Sequence, residues 1–167
     1  MGCDIHAHIE IKDHDMWWGF ASVTIWRDYS LFALMAGVRN YNDLEPVAEQ
    51  RGVPNDAAWR VIDKYTLIIS DVEDPPEGYC TSEDARTYIE HCGSTYWGMS
   101  ESNRTRITHP DWHSASWLSS EEMQQVVDEY LEHVGQAVDA NVLAISNAMN
   151  TIKAAGKEVR IIFWFDN

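Results

Sequence analysis

The sequence predicts an α+β fold, with an antiparallel sheet made from an N-terminal hairpin and a central C-terminal strand, and helices packed on it. Three observations predict it: an alternating polar and apolar stretch at the start, a nearly continuous apolar run at the end, and helical patterns between them. Strands at both ends of a chain with helices between them are typical of this class. A length of 167 residues favours one domain, residues 1–167, with a substantial core.

Residues 3–12 predict the first strand, because successive side chains of a strand point to opposite faces. The polar face of this strand would carry four alternating residues, Asp4, His6, His8 and Glu10. Residues 13–16 then predict a turn. Residues 17–27 are rich in aromatic and β-branched side chains, so they predict the second strand of a hairpin.

Helical patterns alternate with turn chemistry through the middle of the chain. The three predicted helices lie within residues 29–38, 53–65 and 82–91. The apolar run at 66–70 does not reveal its own type, and residues 71–79 have the Asp, Pro and Gly composition of a loop. Residues 93–117 predict mostly irregular structure.

Two helices and a strand are predicted at the C-terminal end. Ser119 and Glu122 have the spacing of a capping box before an amphipathic helix. A second helix follows, with Gly156 as its predicted C-cap. The apolar run after it predicts a central strand covered on both faces.

Pairing of the first and last strands would bring two ends of the sequence together. If these strands are antiparallel, Asp166 and Asn167 lie beside Asp4 and His6. The sequence therefore predicts a polar cluster at one rim of the sheet. We expect Asp4 and His6 to belong to it, and His8 and Glu10 to be ordinary surface.

Composition limits the classes of partner. Twelve basic against 27 acidic residues give a formal charge of -15, whereas duplex nucleic acid and anionic membranes are bound by basic surfaces. No run of the roughly 20 apolar residues needed to cross a bilayer is present, and the first residues lack the pattern of a signal peptide. With three cysteines and no CxxC pair, the expectation is a cytoplasmic protein with reduced thiols.

Five motifs in order resemble a known family. They are MGCDIH at the start, RDYSLFALMAGVRN (27–40), RGVP (51–54), HSASWLS (113–119) and VRIIFWFDN (159–167). Together they resemble the small phage and prophage proteins that begin MGCDIH. The resemblance implies a phage origin and expression in a bacterial host cytoplasm, but no reaction. His8 departs from the bulky residue common in that family, so we do not place it in a shared site.

Four groups of side chains are candidates for a site. An Asp beside a His can orient its ring, as Asp4 would for His6. His6 and His8 together also have the spacing of a divalent-metal pair, although neither a metal nor a cofactor is predicted. The remaining candidate ligand-binding residues are Arg27, Arg39 and Asn40 as a phosphate fork, His113, Ser114, Ser116 and Trp117 in one segment, and Asp166 and Asn167 for a ribose hydroxyl.

These candidates support two main hypotheses. The favoured one is a phage accessory protein that sequesters a small nucleotide-derived ligand, such as a signalling nucleotide of bacterial immunity. The alternative is a phosphodiesterase-type hydrolase, with His6 and His113 as base and acid, Asp4 orienting His6, and Arg39 steadying the developing charge. An acidic inhibitor that mimics nucleic acid is a third possibility, and a homo-oligomer stays open.

Overall fold

The computed structural model describes residues 2–97 and 105–167. The strands within those residues are β1 (Asp4–Asp13), β2 (Met16–Val23), β3 (Thr66–Ile69), β4 (Tyr79–Cys80), β5 (Tyr96–Trp97), β6 (Arg106–Thr108), β7 (His113–Ser119) and β8 (Val159–Asp166). The helices are α1 (Tyr29–Ala36), α2 (Trp59–Tyr65), α3 (Ser82–Cys92), α4 (Ser120–His133) and α5 (Ala140–Ala154). None of these helices combines the length and apolar character needed to cross a membrane.

By its internal contacts the chain divides into two compact units. The first unit joins Met1–Ala58 to His113–Asn167, and the second is Trp59–Trp112. All of the predicted site residues belong to the first unit. That the whole chain forms one domain stays a prediction.

The first unit is built on a four-stranded antiparallel sheet in the order β2-β1-β8-β7. Strands β1 and β2 form the predicted N-terminal hairpin, and β8 is the predicted central strand. Asp4 lies opposite Asp166 at one end of the β1–β8 ladder, and Ile11 lies opposite Val159 at the other. The predicted α+β class, the antiparallel pairing and the place of the last strand are therefore confirmed.

One face of this sheet carries the main hydrophobic core. Ile5 and Ile9 of β1 and Phe163 and Phe165 of β8 are buried there, together with side chains from α1, α4 and α5. Every residue from Val159 to Phe165 is buried, which explains why the last strand has no polar alternation. The opposite face carries the polar residues of β1.

The helix ends follow the local sequence closely. Ser119 and Glu122 form the predicted capping box, with each side chain accepting a hydrogen bond from the other residue's backbone N–H. Helix α5 has Ala155 as its C-cap, one residue before the predicted Gly156. Gly156 follows with a φ of 81°, the left-handed conformation that glycine adopts at least cost.

One prediction from the middle of the sequence is corrected. Helix α2 lies within the predicted range 53–65 and begins at Trp59. The described residues of 93–117, in contrast, are not mostly irregular, because ten of these 18 residues belong to β5, β6 and β7. Residues 98–104 of that stretch lie outside the described part of the chain. The sequence did not predict strand β7. A bulge between His113 and Ser116 interrupts its pairing with β8, so polar and apolar side chains do not alternate along it.

The second unit contains a small sheet that the sequence did not predict. Its order is β4-β3-β6-β5, and β3 with β4 is a parallel pair. A compact cluster of four buried side chains supports it, namely Leu67, Cys80, Ala85 and Ile107. The run at 66–70, whose type the sequence left open, forms β3.

Candidate functional site

The predicted polar cluster exists at the rim where β1 begins and β8 ends. The Nε2 atom of His6 lies 2.9 Å from Oδ2 of Asp166, and the backbone N–H of Asp4 donates to Oδ1 of Asp166 at 3.1 Å. Asp166 thus orients His6, the role that the sequence assigned to Asp4. The antiparallel register makes this contact possible, because Asp4 lies opposite Asp166 and His6 is two residues along the strand.

Asp4 is held instead by Arg27. The guanidinium donates from Nη2 to both carboxylate oxygens, at 2.8 and 2.7 Å, and from Nε at 2.9 Å. These hydrogen bonds lower the pKa of Asp4 below its usual value. The Arg27 guanidinium therefore already uses on Asp4 the planar, multiple hydrogen bonding by which an arginine would recognise a ligand phosphate.

Arg39 and the last residue form the other side of the rim. Arg39 donates from Nη2 to Oδ1 of Asn167 at 2.9 Å, and hydrogen bonding to Tyr41 raises the pKa of Arg39. Asn40 has a local role, since its side chain bonds both the N–H and the C=O of Leu44, at 3.0 and 2.7 Å. The structure thus brings Arg39 to Asn167, a pairing that the sequence did not predict, while Asn40 stabilises a turn.

His113 lies on the other face of the sheet. Its ring stacks with Phe165 at 6.0 Å between centroids, whereas the His6 ring stacks with Trp164 at 6.1 Å. Because Trp164 and Phe165 are successive residues of a strand, they point to opposite faces. The structure does not bring His6 and His113 together. His113 instead pairs with its neighbour Ser114, from Nδ1 to Oγ at 3.0 Å.

Ser116 and Trp117 are also separate from the rim cluster. The buried Oγ of Ser116 accepts a hydrogen bond from the backbone N–H of Arg51 at 3.1 Å. The Arg51 guanidinium lies 4.4 Å from the centroid of the Trp117 ring. Ser116 therefore anchors a neighbouring segment, while Trp117 belongs to a second group of side chains near the start of β8.

That second group is a stack of alternating cations and indole rings. Arg160 lies 3.8 Å from the ring of Trp17 and 6.0 Å from the ring of Trp117. Two carboxylates fix the guanidinium, Glu10 on Nε and Asp56 on Nη2, each at 2.9 Å. Such contacts hold the two indoles in defined positions.

Glu10 is not the surface residue that the sequence predicted. It is fully buried, and Arg160 is 5% exposed. The second oxygen of Glu10 accepts the backbone N–H of Ala58 at 2.5 Å. Burial raises the pKa of Glu10, while the bonds from Ala58 and Arg160 oppose that shift.

A cavity of about 390 Å³ opens beside this stack. Trp17 and Trp117 line it with three basic residues, Lys153, Lys157 and Arg160. The carboxylates of Glu121 and Glu158 also line it, so its formal balance is three cations against two anions. The lining thus has more basic than acidic residues, the reverse of the whole chain, in which acidic residues outnumber basic ones by 27 to 12.

The lysines of the cavity are held by exposed carboxylates. Lys153 pairs with Glu121, and Lys157 pairs with Asp13. About half of each lysine side chain is exposed. Exposed pairs of this kind contribute little stability, so both ammonium groups can turn toward an anion in the cavity at small cost.

Sequence reasoning named only Trp117 among the residues that matter in this cavity. Trp17 was assigned to a hairpin strand, and the two lysines stand at the end of α5 and just beyond it. One signal was present in the sequence: Arg160 is the lone charged residue inside an apolar run predicted to be covered on both faces. A buried charge needs partners, so its position indicated a polar network.

A trio on α4 offers atoms of the kind that bind metals. Glu129, Glu132 and His133 each place a potential ligand atom within 4.8 Å of the others. His133 already pairs with Glu129 at 2.9 Å, one helical turn away. Exposed clusters of this type are ordinary helix-surface ion pairs.

Comparison with protein-family models, curated proteins and solved structures finds no match.

Proposed function

We propose that this protein binds and sequesters a small nucleotide-derived ligand in the cavity that Trp17 and Trp117 line. The observation that carries the proposal is the combination of two fixed indole rings and two lysines around one cavity of about 390 Å³. Ligand pockets usually have volumes of about 300–1,000 Å³. Three basic residues line this cavity in a chain whose net charge is -15.

The chemistry divides between the rings and the lysines. Nucleobases stack on aromatic faces, with a gain of about 1–3 kcal/mol per base. Lys153 and Lys157 supply point charges for phosphate. Arg160 has a supporting role, because Glu10 and Asp56 already occupy its guanidinium. It fixes the indoles rather than gripping the ligand.

Sequestration is favoured over cleavage. The hydrolase hypothesis needs His6 and His113 to act on one substrate, yet their rings stack against opposite faces of β8. A base and an acid must both lie within hydrogen-bonding reach of the reacting group. The phage accessory role, with an immune signalling nucleotide as ligand, rests on the sequence resemblance.

Recovery of bound nucleotide tests the proposal. Purified protein is mixed with a panel of cyclic dinucleotides and ADP-ribose derivatives, filtered to remove free ligand, and heated to release what remains bound. Mass spectrometry then identifies the released molecule. We expect one nucleotide to be depleted before heating and recovered intact after it. A new product would favour the hydrolase, and no depletion across the panel would overturn the binding proposal.

The cavity residues give the first prediction. Trp117→Ala should weaken binding of the captured nucleotide about 5- to 100-fold, because a stacking face is lost, and Trp117→Phe should weaken it less. Trp26→Ala is the matched control, since Trp26 is 65% exposed and does not line this cavity. Isothermal titration measures all four proteins. Equal losses for Trp26→Ala and Trp117→Ala would place the ligand elsewhere.

Lysine substitutions give a second, independent prediction. Lys157→Gln removes one charge from the cavity and should weaken a phosphate-bearing ligand about tenfold, with a shallower dependence of affinity on salt. Lys64→Gln is the matched control, because Lys64 does not line the cavity. If Lys157→Gln bound as tightly as the control at every salt concentration, the lysines would have no part in binding.

A further inference from the structure

The cavity that Trp17 and Trp117 line also carries two glutamates. Glu121 and Glu158 lie in its wall beside the two lysines. A carboxylate lowers the affinity of such a site for phosphate, because like charges repel. An ionised carboxylate can only accept hydrogen bonds. Its presence therefore suits a ligand that offers hydrogen-bond donors as well as phosphate.

The two glutamates differ in what their oxygens already bind. In Glu121, Oε1 pairs with Lys153, and Oε2 accepts the hydroxyl of Ser120 at 3.0 Å. In Glu158, Oε1 pairs with Nζ of Lys12 at 3.2 Å. Within residues 2–97 and 105–167, no hydrogen bond or ion pair reaches Oε2 of Glu158. Glu158 is therefore the better acceptor for a ligand.

Two contacts with Lys12 fix Glu158 close to Trp17. The backbone N–H of Lys12 donates to the carbonyl of Glu158 at 2.9 Å, in addition to the ion pair between their side chains. Lys12 lies opposite Trp17 in the β1–β2 ladder, and its Nζ atom is 5.9 Å from the centroid of the Trp17 ring. The carboxylate of Glu158 therefore lies near the indole.

The residues along this wall follow the order of the groups in a nucleotide. Trp17 offers a ring on which a base can stack, and Lys157 offers a charge for phosphate. Glu158 follows Lys157 directly in the chain and is held beside Trp17. The ribose joins the base to the phosphate, so the sugar is the part of the ligand that would lie against Glu158.

We propose that Glu158 accepts hydrogen bonds from the free 2′- and 3′-hydroxyls of a ribose. The ligand class is then ribonucleotides in which neither of these hydroxyls is esterified. In dinucleotide-binding folds an acidic residue has a similar role toward the ribose. Deoxyribonucleotides lack one of the donors, and 3′,5′-linked cyclic dinucleotides carry phosphate on the 3′-oxygen. This inference rests on the proposed function and narrows its ligand.

Isothermal titration with ADP, GDP and their 2′-deoxy forms tests the proposal. The wild type should bind at least one of the two ribonucleotides about tenfold or more tightly than its deoxy form, because a hydrogen bond to a charged acceptor is lost. In Glu158→Ala the acceptor is absent, so the two forms should bind with equal affinity. Glu158→Gln keeps one acceptor oxygen and should keep part of the preference.

Glu90→Ala is the matched control. Glu90 is also an exposed carboxylate beside a basic side chain, with Nε2 of His91 3.9 Å away, and it does not line the cavity. This variant should keep the full preference for the ribonucleotide. The ratio of the two affinities is the readout, because a general loss of structure would weaken both nucleotides alike.

Three results would overturn the inference. The first is equal binding of the ribonucleotide and its deoxy form by the wild type. The second is a preference that survives in Glu158→Ala; if both affinities fall together there, the carboxylate bonds the base instead. The third is a failure of all four probes to bind. If a cyclic dinucleotide is nevertheless captured from the panel, the proposed function stands and this inference alone fails, whereas capture of no nucleotide overturns both.

Discussion

Arg160 shows how one buried charge organises its surroundings. Its guanidinium sits between two indoles and is neutralised by Glu10, which is itself fully buried. Removing one member of a buried pair leaves the other charge without compensation, at a cost of about 3–5 kcal/mol. At this scale the position of Arg160 depends on two carboxylates, of which Glu10 is the buried one.

Glu10→Ala should therefore lower the free energy of unfolding by about 3–5 kcal/mol, measured by chemical denaturation. It removes the acceptor of the Ala58 N–H and leaves the buried Arg160 with the exposed Asp56 as its remaining carboxylate partner. The control is Glu158→Ala, which removes an exposed partner of Lys12 and should cost less than about 1 kcal/mol. Comparable losses in the two variants would show that the buried pair is not the anchor.

One aspartate links α1 to α4 by a hydrogen bond. Asp28 caps α1 by accepting the N–H groups of Ser30 and Leu31 through Oδ1, at 3.0 and 3.1 Å. Its other oxygen accepts the hydroxyl of Tyr130 at 2.6 Å. Burial, together with this hydrogen bond to a carboxylate, raises the pKa of Tyr130 to about 12. The hydroxyl proton of Tyr130 thus links α4 to α1, and its raised pKa means that the folded chain releases this proton only at alkaline pH.

This raised pKa makes stability depend on alkaline pH. The ordinary value for tyrosine is 10.0, so the contribution is complete below about pH 10 and is lost as pH rises toward about 12. A shift of about two units corresponds to about 2–3 kcal/mol. Urea unfolding should show a steeper loss in the wild type than in Tyr130→Phe over that interval. Two results would contradict the assignment. One is an equal loss of unfolding free energy in the wild type and Tyr130→Phe over that interval. The other is a tyrosine that titrates near pH 10 in the wild type and is missing from Tyr130→Phe.

The elements that sequence predicted well are those whose signal is local. The alternation of β1, the capping box at Ser119 and the apolar run of β8 each reflect one strong pattern. Strand β7 was not predicted because it contains a bulge, with Ser114 at a φ of 50°. This bulge depends on pairing with β8 rather than on the residues of β7 itself. The small sheet of the second unit depends on two- to four-residue strands, which are too short to give a period.

At the scale of the whole molecule, the register of β1 against β8 accounts for the part of the site that the sequence predicted, the polar cluster at the rim of the sheet. It brings Asp4, His6 and Asp166 to one rim, as the antiparallel expectation required. The cavity was not foreseeable in the same way. Trp17 lies more than 130 residues before Lys153 and Lys157, and only the four-strand order together with the end of α5 brings them together.

The net charge of -15 gives a final prediction, which concerns the whole fold. Carboxylates spread over one small surface repel one another, and this repulsion is relieved when the chain expands. The screening length falls from about 30 Å at 0.01 M salt to about 8 Å at 0.15 M, so the midpoint of thermal unfolding should rise by several degrees over that interval. Scanning calorimetry of the wild type at one protein concentration, with the salt concentration raised stepwise across this interval, measures the midpoint. A midpoint that stays constant across the interval would show that repulsion among the carboxylates does not limit the stability of the fold.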